Sequence, residues 1–120
     1  MFAWFKNYFR KLNVHEVPLV KKHPFGVKTP TQAYDDDAGY DLYAAGDYYV
    51  HQGQVVPIET GLHMAIPSHL TAKIECRSGL GRKGFDIKGG RIDPGYRGQI
   101  IVLLQAPCDL KEPYKISHGD

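Results

Sequence analysis

Three glycine-rich clusters hold most of the side chains in this sequence that could do chemistry. The first, DDDAGYDLYAA (Asp35 to Ala45), sets three acids in a row and then Asp41 after a Gly-Tyr pair. Acids in a run usually form a solvated turn. Asp41 differs in kind, because a carboxylate between Tyr40 and Leu42 in an apolar strand needs a partner to be stable there. A cation-bound water, a basic side chain or a structural turn hydrogen bond would each serve.

The second cluster, RSGLGRKG (Arg77 to Gly84), follows an apolar strand and packs three glycines, a hydroxyl and three cations into eight residues. This is phosphate chemistry by type: glycines let backbone N–H groups approach anionic oxygens, Ser78 donates a hydrogen bond, and Arg77 offers a bidentate charge. The GxxxxGK signature of a P-loop is missing, and an ordinary basic loop has the same composition. The third cluster, FDIKGGRIDPGYRGQ (Phe85 to Gln99), reads as a β-hairpin. Its tip near Gly89 and Gly90 exposes main-chain donors and acceptors against which a planar base could be read. Asp93 ends an apolar step three residues before Tyr96, so an acid able to orient a water and an aromatic plate able to stack under a sugar lie close together. Asp93-Pro94-Gly95 is equally the composition of a plain turn.

The elements that must position these clusters are strands. From Val14 onward, short apolar runs are broken by Gly, Pro and Asp about every 8–12 residues, the pattern of an all-β sandwich or barrel. Strands are expected over Glu16 to Lys21, Tyr48 to His51, Val55 to Glu59, Leu62 to Ile66, Leu70 to Glu75, Phe85 to Lys88 and Gln99 to Gln105. Turns are expected at Gly53, Gly61, Pro67 and Gly89. Helical periodicity is absent after the opening segment. The run Ile100 to Leu104 is apolar on both alternating faces, so both should be covered, by a core or by a second subunit. A core built from 120 residues of short strands is marginal, which favours oligomerisation.

Residues 1–13 form an extension ahead of a single domain over 14–120. Met1 to Leu12 carries five aromatics with Lys6, Arg10 and Lys11 and no acid. It could make a basic amphipathic helix, or an ordered extension whose aromatics cover part of the domain. Fifteen Lys and Arg against thirteen Asp and Glu leave a net charge of +2, short of the dense basic face a nucleic-acid groove requires, so polymeric nucleic acid is not expected as a partner. Cys76 and Cys108 suggest neither a disulfide framework nor a metal knuckle. With no apolar run of bilayer length and no secretory signal, no membrane partner is expected, and the setting is intracellular, cytoplasm or nucleus.

In this order and spacing, AGYDLYAA, RSGLGRKG and GGRIDPGYRGQI resemble motifs one, two and three of the trimeric dUTPase (deoxyuridine triphosphate nucleotidohydrolase) family. TGLHMAIP (Thr60 to Pro67) is similar to the strand ahead of its second motif. The resemblance implies a jelly-roll-like distorted β-barrel of the dUTPase type, assembling as a homotrimer with active sites shared between subunits. It also implies hydrolysis of dUTP to dUMP and pyrophosphate with Mg2+. By the same resemblance Asp93 orients the attacking water, Tyr96 packs on deoxyribose and excludes a 2′-hydroxyl, and Asp41 holds Mg2+ through water. Arg77, Ser78 and Gly79 bind the phosphates, and the backbone at Gly89 and Gly90 faces uracil. An aspartate of ordinary acidity, pKa about 4, is already a base at neutral pH.

The sequence departs from the family at Arg91, where a small aliphatic residue is usual, and at Gly95, where an acid or Asn is common. Ile116 to Asp120 resembles the start of motif four, and the Gly-rich arm of motif five is missing. The expectation is a C-terminally incomplete domain that turns over dUTP more slowly than a closed one. A dCTP deaminase, which shares the fold and the phrase IDPG, would need a catalytic Glu within Ile100 to Leu104, where no acid stands. A binding module of this fold without catalysis is the other alternative: the missing arm argues for it, the intact Asp41, Ser78, Asp93 and Tyr96 against it.

Overall fold

The computed structural model describes residues 26–120 and, as backbone strands, Phe2–Phe5 and Leu19–Lys21. Strands β1 (Phe2–Phe5), β2 (Leu19–Lys21), β3 (Gly39–Leu42), β4 (Tyr48–Val50), β5 (Val55–Met64) and β6 (Ala72–Cys76) precede a short helix, α1 (Ser78–Arg82). Then come β7 (Asp86–Lys88), β8 (Arg91–Ile92), β9 (Gln99–Gln105) and β10 (Tyr114–Ile116). One sheet runs β3-β1-β6-β8, a second β2-β5-β9-β7, and β10 pairs with β4; every neighbouring pair is antiparallel.

Period-two alternation decides which face each strand buries. On β9, Ile100, Val102 and Leu104 are buried at 1, 0 and 0 % exposure, while Ile101 and Leu103 between them stand 40 and 38 % exposed. The inward residues meet Ile58, Leu62 and Met64 of β5, Leu42 of β3, Val50 of β4 and Ile116 of β10 in one core. The expected covering of both faces of Ile100 to Leu104 is therefore met on one face within the chain, and the other face is open.

Several expected boundaries shift. The strands predicted on either side of Gly61 are one ten-residue strand, and Gly61 is a bulge within it rather than a turn. It sits at φ +67, and the pairing with β9 changes register between Glu59 and His63. An extra residue at a bulge leaves backbone groups unpaired. Here Gly61 N–H donates to Gln99 Oε1 (2.8 Å) and Leu62 N–H to Thr60 Oγ1 (3.2 Å), while Thr60 Oγ1 donates to the Ile100 carbonyl (2.6 Å). Thr60 is accordingly buried.

The segment Phe85 to Gln99 is not a hairpin. Its first strand, β7, pairs with β9, and its second, β8, with β6 in the other sheet, so Gly89 and Gly90 form a corner between sheets. Nor is Arg77 to Gly84 all loop: Ser78–Arg82 makes a helical turn that buries Leu80. Phe2–Phe5 is extended and fills the position between β3 and β6 instead of starting an amphipathic helix. The remainder of the opening segment, and the first half of the strand expected over Glu16 to Lys21, lie outside the described residues. At the other end, Gly119 and Asp120 exchange backbone hydrogen bonds with Ala44 at 2.8 Å each, which seats the predicted start of motif four beside motif one.

Candidate active site

Six of the eight predicted site residues line two clefts with no lining residue in common, while Asp41 and Gly89 line neither. The first, of about 350 Å³, is lined by Gly90, Arg91, Asp93, Tyr96 and Gln99 together with apolar residues of β5 and β9, among them Pro57, Ile101 and Leu103. The second, of about 400 Å³, is lined by Arg77, Ser78, Gly79, Leu80, Lys83 and Tyr114.

In the first cleft, β8 ends at Ile92, whose buried side chain anchors the chain and turns Asp93 outward. The Asp93 carbonyl accepts the Tyr96 N–H at 3.1 Å, closing the turn that the composition predicted. This turn brings the exposed Asp93 carboxylate and the Tyr96 ring to the same cleft. The ring is 44 % exposed and held at its far end, where the hydroxyl donates to the Gln99 carbonyl at 2.8 Å. It lies over Gly98, where an added Cβ would come within 2.5 Å of the tyrosine oxygen and 2.6 Å of the carbon bearing it. Gly90, at φ +91, approaches β6 so closely that a Cβ would meet the Ile74 carbonyl at 2.8 Å, and its own carbonyl accepts the Ile74 N–H at 2.8 Å. Gly89, at φ +63, faces open space.

The second cleft begins where β6 ends. Arg77 has extended backbone (φ −64°, ψ 149°) and leads into α1, so Ser78 and Gly79 form the first residues of the helical turn. Among the described residues a Cβ at Gly79 would touch nothing within 4 Å, so none of them requires a glycine there. Arg77 Nη2 lies 3.3 Å from Asp41 Oδ2. The partner that an acid in an apolar strand demands is thus a guanidinium, and motifs one and two meet within one chain. Asp41 is also fixed through its backbone, its N–H donating to the Thr31 carbonyl at 2.7 Å.

Among the described residues no three potential ligands from His, Cys, Asp and Glu cluster as a protein-only metal site would require. Asp41, one carboxylate beside a cation, suits an ion that keeps most of its waters and takes further ligands from phosphate oxygens, which is the habit of Mg2+.

A profile of the dUTPase family matches residues 26–116. The chain belongs to the dUTPase family. Among relatives, the deoxyuridine 5′-triphosphate nucleotidohydrolase of cowpox virus (strain GRI-90 / Grishak) is 41 % identical over 93 residues, covering 78 % of this chain and 63 % of the viral protein. The monkeypox virus protein of the same name is 41 % identical over 93 residues, with 78 % and 62 % covered. The chain thus spans somewhat under two thirds of the length of these curated relatives. In fold it is similar to the dUTPase of phage phi11 of S. aureus, with TM-score 0.78, 22 % identity, and 88 % of this chain and 85 % of that one covered. The study of that structure describes coordination of a structural Mg(II) ion. It is similar also to the Staphylococcus bacteriophage 80alpha dUTPase, with TM-score 0.77, 21 % identity, and 88 % and 84 % covered; a mutant of that enzyme is known with dUpNHpp. The expected all-β, jelly-roll-like fold of the dUTPase type is therefore the fold of this chain.

Two residues that line these clefts, Gln99 and Tyr114, and one beside them, Gly98, escaped the motif reading. Gly98 seats the Tyr96 ring, and Gln99 both receives its hydroxyl and bridges to the Gly61 bulge. Tyr114 arrives in the second cleft from β10, far along the sequence. Gly98 and Gln99 lay inside the quoted third motif with no signal to separate them from strand and turn. Nothing in the sequence links Tyr114 to Arg77.

Proposed function

We propose that this dUTPase-family protein hydrolyses dUTP to dUMP and pyrophosphate, working as a homotrimer in which the first cleft of one subunit faces the second cleft of another. The observation that carries this reading is the separation of the two clefts: Asp93, the Tyr96 plate and the Gly90 corner on one, Arg77, Ser78 and Lys83 on the other, neither sufficient alone. The open apolar face of β9, with Pro57, Ile101 and Leu103, is part of the first cleft's wall. A second copy covering that face brings its own surface to the cleft's rim, so assembly and completion of the site are one event.

In this arrangement Asp93 orients a water and accepts its proton as the water oxygen bonds to the α-phosphorus. The bond from that phosphorus to the α,β-bridging oxygen breaks, and pyrophosphate leaves. The Tyr96 ring, fixed at Gln99, presents a flat face to deoxyribose and leaves no room for a 2′-hydroxyl. The backbone of Gly89 and Gly90 receives uracil, and Arg77, Ser78 and Gly79 bind the phosphates. When bound, Mg2+ supplies positive charge to the phosphate chain, with Asp41 as its protein contact through water. Arg91, exposed on the same cleft as Asp93, adds a cation to that cleft. The unpaired thiols of Cys76 and Cys108 support a place in the cytoplasm or nucleus. No helix among the described residues is long and apolar enough to cross a membrane.

The test is pyrophosphate release from dUTP, dCTP, dTTP and UTP with Mg2+, comparing the protein with its Asp93→Asn variant. Release confined to dUTP, and reduced about 10²–10⁴-fold by the substitution, is expected for loss of a general base. A folded trimer that binds dUTP and releases nothing would instead be a binding module.

A further inference from the structure

We infer that Lys83 is a further phosphate-binding residue of the Arg77 loop, held at the cleft by the ring of Tyr114. This rests on reading that loop as the phosphate site, and it names a residue the family motifs do not assign. The second cleft is lined by two cations and the hydroxyl-bearing Ser78 and Tyr114, and by no carboxylate. Of the two cations, Arg77 already has the Asp41 carboxylate at 3.3 Å, so part of its charge is spoken for before any ligand arrives. Among the described residues Lys83 makes no ion pair; its ammonium instead lies 5.1 Å from the centre of the Tyr114 ring.

That position is built from several directions. The Lys83 N–H donates to the Leu80 carbonyl at 3.0 Å, ending the helical turn, and Leu80 is anchored in the core. Tyr114 stands on β10, paired with Val50 of β4, and its ring packs against the buried Phe85 ring with centroids 5.0 Å apart. The flexible lysine stem is thereby restrained on the same cleft as Ser78 and Arg77. An exposed cation–π contact is weaker than a charge-assisted hydrogen bond to a phosphate oxygen. An arriving phosphate can therefore take the ammonium without a competing acid to displace. Arg82 next to it carries the same charge and does not line the cleft, which makes it a matched control for charge alone.

Titration calorimetry without divalent cations separates the possibilities, using inorganic tripolyphosphate and deoxyuridine as probes of the phosphate and nucleoside halves. Lys83→Met should weaken tripolyphosphate binding about tenfold, equivalent to about 1.4 kcal/mol, and leave deoxyuridine binding unchanged. Lys83→Arg should restore most of the loss, and Arg82→Met should change binding less than about twofold. Unaltered tripolyphosphate affinity in Lys83→Met, with Arg77→Ala strongly weakened, would overturn the assignment of Lys83 and leave the loop a phosphate site. Equal losses in Lys83→Met and Arg82→Met would also overturn it, showing only the loop's overall charge. No tripolyphosphate binding by the unaltered protein, with deoxyuridine still bound, would refute the phosphate reading of the loop itself.

Discussion

Replacing Gly98 by Ala tests whether Tyr96 works as a plate held at fixed height. A Cβ at this position would lie 2.5, 2.6 and 3.0 Å from three atoms of the tyrosine's phenol end, where unstrained carbon contacts sit at about 3.5–4.0 Å. The backbone is no obstacle, since Gly98 is not among the glycines with positive φ; the three nearest atoms to the methyl all belong to Tyr96. The ring must therefore retreat by roughly 1 Å, and its 2.8 Å hydrogen bond to the Gln99 carbonyl breaks. Because the ring is 44 % exposed, it can retreat into solvent. The stability loss should then be that of one hydrogen bond, about 0.5–1.5 kcal/mol, below the upper range for core overpacking, about 3 kcal/mol. Catalysis should suffer more, since a 1 Å misplacement in a site can cost about 10²-fold, and discrimination between dUTP and UTP should fall with it. Urea unfolding and kcat/KM on both nucleotides, measured in a double-mutant cycle with Tyr96→Ala, decide the matter. With the ring gone, the added methyl should be nearly silent. If the two substitutions instead add to within about 0.5 kcal/mol, Gly98 does not seat the ring and the argument fails.

The corner between β7 and β8 gives a contrast between neighbours: Gly90→Ala should cost about 1–3 kcal/mol by urea unfolding, through positive φ and the collision with the Ile74 carbonyl. Gly89→Asn, in open space at a φ that Asn tolerates, should cost less than about 1 kcal/mol. Ile101→Asp on the outward face of β9 should leave the monomer folded and abolish self-association, read by light scattering at matched concentrations; an unchanged trimer would move the subunit contact elsewhere. Burial, and next the Asp86 carboxylate, push the Cys76 thiol above its ordinary pKa. The protonated form is thus favoured by folding. Alkylation at Cys76 should rise only at a pH above that of a free thiol, and stability should fall as pH climbs from the unfolded thiol's pKa through the folded one. Asp86→Asn should shift the alkylation profile toward lower pH.

Which parts of this could be read from residues follows from the range of the forces involved. Turn chemistry is local, so Asp93-Pro94-Gly95 predicted its turn. Alternation along Ile100 to Leu104 is local too, and it showed that two apolar faces would need covering. The missed features depend on distant partners. Gly61 carries the same letter whether it ends a strand or bulges one; the neighbouring β9, with Gln99 and Ile100 as hydrogen-bond partners, decides in favour of a bulge. The hairpin expected over Phe85 to Gln99 failed because strands choose partners by sheet geometry, and β7 and β8 were claimed by different sheets. The helical turn at Ser78–Arg82 is too short for a periodic signal, and only Leu80 within it is buried.

The amino-acid sequence by itself determined the family and the strand-rich class, and it singled out Asp41, Arg77, Ser78, Asp93 and Tyr96 as candidates, because motif order and spacing survive without coordinates. Tertiary structure alone decided that Asp41 faces Arg77, that the Lys83 ammonium lies over the Tyr114 ring, and that the Tyr96 and Arg77 clefts share no lining residue. Each is a relation between residues far apart in sequence. Strand pairing and packing across the sheets, not the local code of any segment, bring them together.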